Sequence, residues 1–264
     1  MRYGFATGFA ASVRDSVDEK LVENIKLAGF DYAEFPLTLL SVLSDAALDD
    51  LVDRLAGFHL DADCVCNMFP PSIRLTGPAR DFGAAKQYLD HVFPRLNRLG
   101  TRKIVFGSSG ARNLPEGTDE GAGYAQIVDL VNTVILPMLK QYDMVLCMEP
   151  IGRYEANFIN RLEDGMRVVT AVHHPRVQLL ADSVHLMYEN EDAGEIERFK
   201  DHLHHVHICE NERRLPLGSA TPQLDSILKT LRGAGYDGTL SFESTPHTRE
   251  EMTRALELVK AYFR

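Results

Sequence analysis

The chain has 264 residues, of which 45% are apolar, so it can bury the core of one α/β barrel or of two small domains. Its net charge of −10, spread without a basic tail, argues against a nucleic-acid partner, and no apolar run reaches the roughly eighteen residues of a membrane span. Arg14 and Asp15 interrupt the N-terminal apolar stretch, so we expect no secretion signal and a cytoplasmic location.

Short apolar runs, typical of buried strands, alternate eight times with amphipathic stretches. The predicted strands are Tyr3–Ala6, Tyr32–Phe35, Ala62–Met68, Lys103–Phe106, Met144–Glu149, Val177–Asp182, His205–Cys209 and Thr239–Glu243. The predicted helices lie around Val17–Leu27, Asp45–Leu55, Phe82–Leu99, Ala125–Gln141, Leu162–Val172, Ile196–His202, Leu224–Ala234 and Arg249–Phe263. All four cysteines fall inside predicted strands, where reduced Cys behaves as a small apolar residue.

Eight strand–helix units in a chain of this length predict a (β/α)₈ TIM barrel, forming a single domain over residues 1–264. A doubly wound open sheet is the alternative. It would normally carry a glycine-rich dinucleotide turn after the first strand, and Ala6-Thr7-Gly8-Phe9-Ala10-Ala11 does not supply one. Pro137 is expected to kink the fourth helix or to end it early.

Side chains of the kind that bind metals end four successive strands in the second half of the chain. Glu149, Asp182 and Glu243 each close an apolar run, and His207 shares one face of its strand with His205. Because barrel strands end at a common rim, the outer four should converge, and three carboxylates with one imidazole predict a site for one divalent cation of borderline to hard character. His205, one layer deeper, is interpreted as a core or supporting group.

Other candidates lie around the same rim. His185 follows Asp182 by three residues, so the aspartate can hold metal while the imidazole reaches substrate. Glu34, near the end of the second strand, is as compatible with a structural as with a functional role. The glycine-rich loop 107–113 could bind a phosphate, form a lid or merely connect two elements, and Arg74 puts one cation on the preceding loop.

Motifs in the second half of the chain resemble one known superfamily. They are Glu149-Pro150-x-x-Arg153-Tyr154-Glu155, Asp182-x-x-His185, His205-x-His207 followed by Arg213, and Gly235-Tyr236-x-Gly238 leading to Ser241-Phe242-Glu243. The chain resembles the xylose-isomerase-like TIM barrels, a superfamily of sugar phosphate isomerases and epimerases, and most closely the ketose 3-epimerases of the tagatose/psicose type. The element order agrees over the whole chain, whereas the specific motifs lie after residue 145. Where those epimerases have a Pro-Gly-rich turn after the strand-seven arginine, this chain reads Arg214-Leu215-Pro216-Leu217-Gly218.

The resemblance implies a metal-dependent sugar isomerase or epimerase that transfers a proton next to a keto group through an enediolate. The implied ligands of one divalent metal, with Mn²⁺ expected and Co²⁺, Mg²⁺ or Zn²⁺ as alternatives, are Glu149, Asp182, His207 and Glu243. The implied proton-transfer pair is Glu149 and Glu243. The implied substrate-binding residues are Glu155, His185 and Arg213. We expect a small sugar or sugar-like keto compound as partner, without nucleic acid or membrane, and the chain could form a homo-oligomer.

Other activities stay open at this point. Return of the proton from the opposite face of the substrate would give an epimerase, and return from the same face an isomerase. A metal-dependent dehydratase of a cyclic polyol or keto acid, similar to inosose dehydratase, would use the same metal and base but expel a hydroxyl. A phosphodiesterase similar to the apurinic-site endonucleases is disfavoured, because the only histidines before residue 170, His59 and His91, fall in a loop and a helix. A non-catalytic metal-dependent binding protein is the remaining alternative.

Overall fold

A computed structural model of the protein describes residues 1–8, 17–245 and 247–264, so Arg14, Asp15 and the end of the turn after the first strand lie outside the described residues. The strands are β1 (Arg2–Ala6), β2 (Tyr32–Pro36), β3 (Cys64–Cys66), β4 (Lys103–Phe106), β5 (Val145–Met148), β6 (Val177–Asp182), β7 (Leu203–Ile208) and β8 (Thr239–Phe242). They form a closed parallel barrel in chain order, with β8 paired to β1. The predicted (β/α)₈ barrel is confirmed, and the open-sheet alternative is wrong.

Helices connect successive strands and pack on the outside of the barrel. They are α1 (Glu19–Leu27), α2 (Leu37–Leu40), α3 (Asp45–Phe58), α4 (Phe82–Leu99), α5 (Ser109–Arg112), α6 (Glu120–Leu130), α7 (Leu136–Tyr142), α8 (Leu162–Val172), α9 (Ser183–Tyr188), α10 (Gly194–Arg198), α11 (Pro222–Gly233) and α12 (Arg249–Tyr262). Single turns of other helix types lie at Val131–Ile135 (π) and at Lys200–His202 and Asn211–Arg213 (3₁₀). Side-chain caps mark several starts; Asp18, for example, accepts a hydrogen bond from the Leu21 amide at the start of α1.

Most predicted boundaries lie close to the observed ones, and the differences have local causes. β3 is shorter than predicted because Asn67 adopts a left-handed backbone conformation, with φ of 51°, directly after Cys66. The acids predicted to end two strands, Glu149 and Glu243, lie one residue beyond β5 and β8. They therefore sit on the rim itself.

The stretch from α6 to α7 is helical from Glu120 to Tyr142, longer than predicted. Pro137 falls at the start of α7, directly after the π-helical turn, and the helix continues past it. Because proline lacks an amide N–H and its ring crowds the preceding turn, a wider π turn is a means of accommodating it. The length of this stretch, and a mean hydropathy of 1.3 over 18 of its residues, would permit it to span a membrane. Half of that 18-residue segment is buried inside the protein, as in an outer helix of a barrel.

Apolar side chains pack in two places. The larger cluster lies between the strands and the surrounding helices. A small cluster contributed by four neighbouring strands fills part of the barrel interior and consists of Cys66, Val105, Cys147 and Leu180. All four cysteines are free and buried, as expected, although Cys209 lies one residue past β7. The interior nearer the carboxyl rim is polar, and there the candidate site begins.

Candidate metal centre and active site

Four side chains from four neighbouring strands meet at the carboxyl-terminal rim of the barrel. One ligand atom from each lies within 4.8 Å of the others, and all four residues are buried. They are the predicted metal ligands Glu149, Asp182, His207 and Glu243. Strand pairing explains their approach, because Asp182 is in register with His207, and His207 with Ser241, two residues before Glu243.

Glu149 depends on a glycine of the neighbouring strand end. Its backbone N–H donates to the Phe106 carbonyl at 3.2 Å, which extends the pairing of β4 and β5 onto the rim. A β-carbon at Gly107 would collide with the Glu149 carboxylate and lie 3.1 Å from Ile151 Cδ1. Only glycine at position 107 leaves room for this carboxylate. Burial raises the pKa of Glu149, although the nearby His207 imidazole acts in the opposite direction.

Asp182 faces the site with one oxygen and begins α9 with the other. Its Oδ1 accepts hydrogen bonds from the Val184 amide at 2.7 Å and the His185 amide at 3.3 Å. Its Oδ2 accepts one from Arg213 Nη1 at 2.7 Å. Burial opposes ionisation of Asp182, but the Arg213 guanidinium and the His185 imidazole hold its pKa below the usual range. The short helix places His185 Nε2 3.8 Å from Asp182 Oδ2.

His207 presents one ring nitrogen to the carboxylates and the other to the barrel interior. Nε2 lies 2.9 Å from Glu34 Oε1. Nδ1 lies 3.3 Å from Glu149 Oε1 and 3.4 Å from Glu243 Oε2, and it makes no hydrogen bond within the described part of the chain. A buried nitrogen without a hydrogen bond, aimed at three carboxylates, is what a metal ligand requires, and this set of oxygen and nitrogen donors fits one divalent cation.

Arg213 reaches the same cluster from the loop after β7. Its Nη1 donates to Glu243 as well as to Asp182, and its Nη2 lies 3.1 Å from His185 Nε2. The Arg213 backbone has a positive φ of 55°, and its carbonyl is held by the Ser244 hydroxyl at 2.7 Å. This bond joins the loops after β7 and β8. Burial disfavours the charged guanidinium, but Asp182 and Glu243 raise the pKa of Arg213 well above its ordinary value.

Glu155, the third predicted substrate residue, does not join His185 and Arg213. It is exposed on the loop after β5, next to Tyr154. Burial raises the pKa of Tyr154, and the Glu155 carboxylate, through its charge and a hydrogen bond, adds to the rise. Tyr154 Oη in turn lies 3.1 Å from His185 Nδ1. Glu155 is therefore connected to the site only indirectly, through Tyr154 and His185. The sequence motifs did not predict this connection.

A second group of potential ligands, Glu34, Cys64 and His205, lies deeper in the barrel. Both Glu34 oxygens bind imidazoles, and His205 Nδ1 lies 2.8 Å from Thr239 Oγ1 but 3.9 Å from Cys64 Sγ. These residues are hydrogen-bonded to one another and to their neighbours, so we interpret the group as a support for the rim. A signal for it was present in the sequence, because a carboxylate inside the apolar strand β2 is costly unless it is paired.

The glycine-rich loop after β4 is held by two guanidinium groups. Arg74 donates to the Gly110 carbonyl at 2.6 Å and to the Asn113 carbonyl at 2.9 Å. Arg112 is fully buried and donates to the Phe106 carbonyl at 3.0 Å; burial lowers its pKa to about 10. Both cations are thus engaged with backbone oxygens and would not add their charge to a phosphate held by the backbone amides of this loop.

Known proteins of one family resemble this chain over nearly its whole length. The family model for the xylose isomerase-like TIM barrel matches residues 22–262. The chain belongs to this family. Within it, L-ribulose 3-epimerase of Mesorhizobium japonicum is 26% identical over 250 residues, covering 89% of this chain and 78% of the relative. The 3-dehydro-D-guloside 4-epimerase of Escherichia coli is 32% identical over 100 residues, which span 38% of either chain.

The solved structures of the family agree with the fold. A D-psicose 3-epimerase from Clostridium cellulolyticum H10, determined with D-tagatose, superposes with a TM-score of 0.87 at 20% identity, and the match covers both chains completely. The resemblance predicted from the sequence motifs is therefore confirmed at the level of the family, with ketose 3-epimerases among the relatives. These relatives are named as epimerases, and the predicted enzyme class, isomerase, agrees with them.

Proposed function

We propose that the protein is a metal-dependent epimerase that moves a proton on the carbon next to the keto group of a small sugar. The observation that carries this proposal is the position of Glu149 and Glu243. Their strands, β5 and β8, are three positions apart around the barrel, yet both carboxylates approach the same His207 nitrogen, at 3.3 and 3.4 Å. A substrate bound to a cation at this nitrogen would have one carboxylate on either side.

The proposed metal ligands are Glu149, Asp182, His207 and Glu243, and we expect Mn²⁺ from the mixture of carboxylate and imidazole donors. A divalent cation bound there would supply a Lewis acid for the keto and hydroxyl oxygens of a sugar. The geometry favours one metal rather than the multi-metal design of a phosphodiesterase, since the second group of ligand-type residues is internally hydrogen-bonded.

The chain's own residues would divide the remaining work. One of Glu149 and Glu243 removes the carbon-bound proton, and the other returns a proton from the opposite face, which inverts the carbon. Arg213 and His185 lie beside these carboxylates and would hold substrate oxygens. Glu155 would act indirectly, by holding Tyr154 against His185. The acid that returns a proton is not the acid that removed one, so it must be protonated from solvent before the reaction, and the incoming proton is derived from solvent.

The substrate that these contacts favour is an unphosphorylated ketose or a keto-sugar. The two guanidinium groups next to the glycine-rich loop are bound to backbone carbonyls and are not offered to a phosphate. The named relatives act on psicose, ribulose and a dehydro-guloside, so both free ketoses and keto-glycosides belong in the first screen. A cytoplasmic location remains a prediction.

The proposal is tested by incubating the protein with Mn²⁺ in D₂O and recording proton NMR spectra after the metal has been chelated. The panel should contain free and phosphorylated ketoses, 3-keto-glycosides, hydroxypyruvate and inososes. We expect deuterium to enter one carbon next to the keto group while a new epimer accumulates. Loss of water from an inosose or a keto acid, without exchange in any ketose, would replace the epimerase by the dehydratase alternative.

A further inference from the structure

Glu34 connects the candidate metal centre to the interior of the barrel. It lies in β2, and its side chain is fully buried, as are those of His205 and His207. Oε1 is 2.9 Å from His207 Nε2, and Oε2 is 3.0 Å from His205 Nε2. An ionised carboxylate only accepts hydrogen bonds, so both imidazoles must present a protonated Nε2 to it. One buried carboxylate therefore fixes the tautomers of two histidines.

The far end of the network holds the His205 ring in place. Lys103 Nζ lies 2.7 Å from Thr239 Oγ1, and an ammonium group can only donate. His205 Nδ1 lies 2.8 Å from the same hydroxyl oxygen and 3.0 Å from the Thr239 backbone carbonyl oxygen. These contacts to β8 fix the position of the ring, so that its Nε2 faces Glu34.

Two further residues hold the Glu34 carboxylate in place. The Ser241 hydroxyl donates to Glu34 Oε2, and Tyr32 Oη lies 2.9 Å from Ser241 Oγ. The Tyr32 ring occupies the space beside Gly4 of β1, where a β-carbon would collide with it. The carboxylate is therefore held by hydrogen bonds to three side chains, those of His205, His207 and Ser241, which orient it and keep it rigid.

We propose that Glu34 is the positioning residue of the metal centre. Its carboxylate accepts a hydrogen bond from the protonated Nε2 of His207 and thereby directs the lone pair of Nδ1 toward the carboxylates of Glu149, Asp182 and Glu243. This inference rests on the proposed metal site. A carboxylate behind a ligating imidazole fixes the ring and makes it a stronger donor. Nδ1 has no hydrogen bond to any residue that the structure describes and lies 3.3 and 3.4 Å from two carboxylates, which is the geometry that this role predicts.

The test is the affinity of metal-free protein for Mn²⁺, measured by titration calorimetry. Glu34→Gln keeps the shape of the side chain but removes its charge and replaces one acceptor by a donor. We expect Mn²⁺ binding to weaken by about 10–100-fold. Cys147→Ala, in the apolar cluster of the barrel interior and not bonded to Glu34, should bind Mn²⁺ like the wild type. Thermal unfolding of both metal-free variants shows whether the core tolerates them.

Unchanged Mn²⁺ affinity in Glu34→Gln would overturn the inference while leaving the proposed function intact. Failure of the wild-type protein to bind Mn²⁺ would instead contradict the metal centre itself, and the inference with it. If Glu34→Gln does not fold, a measurement on the wild-type protein tests the inference instead. In a ¹⁵N-histidine spectrum of the Zn²⁺-loaded protein, His207 should carry its proton on Nε2 and bind zinc through Nδ1. The opposite assignment would overturn the role of Glu34.

Discussion

Arg213 Nη1 lies 2.7 Å from Asp182 Oδ2, so a cationic residue expected to bind substrate is in direct contact with an expected metal ligand. The same nitrogen also donates to Glu243. The guanidinium offsets part of the negative charge of three buried carboxylates and would lie next to any cation bound by them. Its effects on metal binding and on substrate binding should therefore have opposite signs.

Replacing Arg213 by Met separates these two effects. Loss of the nearby positive charge should leave Mn²⁺ affinity unchanged or increase it, because like charges repel across a short distance. Loss of the donors for substrate oxygens should lower kcat/KM by roughly 10²–10³-fold. Arg214→Met is the matched control, since the Arg214 side chain is 63% exposed and should affect neither quantity. Clearly weaker Mn²⁺ binding in Arg213→Met would show that Arg213 supports the metal site instead of opposing it.

The convergence of the four ligand residues could be predicted from sequence because it depends on local patterns. Each acid ends an apolar run, and the alternation of side chains in β7 puts His205 and His207 on one face. Parallel strands in a closed barrel end at one rim, so residues at consecutive strand ends, such as Asp182 and Glu243, must approach each other.

The supporting contacts could not be predicted in the same way, because they join residues far apart in sequence through side-chain geometry. Glu34 lies on β2 and His207 on β7, with four strands between them in chain order, and no spacing rule relates them. Glu155 lies in a matching motif, but the backbone of the loop after β5 turns its side chain outward to Tyr154. Register, loop conformation and rotamer decide such contacts, and a single sequence specifies them only through the complete fold.

Gly107→Ala should damage the metal centre without unfolding the protein. The added methyl group would occupy the position of the Glu149 carboxylate, which must then turn away from His207. We expect Mn²⁺ affinity to fall about tenfold or more. Gly57→Ala is the matched control: this glycine lies in α3, an added β-carbon would have no atom within 4 Å, and the substitution should stabilise the helix by about 0.5–1 kcal/mol. Equal Mn²⁺ affinities in the two variants would contradict the steric argument.

Glu243→Gln tests whether this acid does more than bind metal. If Glu243 also transfers a proton, turnover should fall by roughly 10²–10⁴-fold and should not recover when excess Mn²⁺ saturates the site. Asp182→Asn provides the comparison, because Asp182 is proposed as a ligand alone and excess Mn²⁺ should restore much of its activity. The measurement is kcat over a range of Mn²⁺ concentrations. Full recovery of Glu243→Gln at high Mn²⁺ would refute the dual role.

Glu191 gives the fold a pH dependence that is independent of the metal site. Its carboxylate accepts a hydrogen bond from the Leu162 amide, at the start of α8, at 3.0 Å, and Arg161 Nε lies 4.0 Å away. Burial nevertheless outweighs these partners and raises the pKa of Glu191 to about 7. Because this exceeds the ordinary value of 4.5, the folded protein binds a proton that the unfolded chain has released.

The stability contributed by protonated Glu191 is complete below about pH 4.5 and is lost as the pH rises through about 7. Glu191→Gln cannot ionise, and its amide oxygen can still accept from Leu162. We therefore expect wild type and variant to have similar Tm values near pH 5, with the variant becoming relatively more stable toward pH 8. Calorimetric scans of both proteins across this pH range measure the difference in Tm between them. Titrating groups other than Glu191 are the same in both proteins, so their effects cancel in this difference. A difference in Tm that stays constant from pH 5 to 8 would mean that Glu191 titrates outside this range.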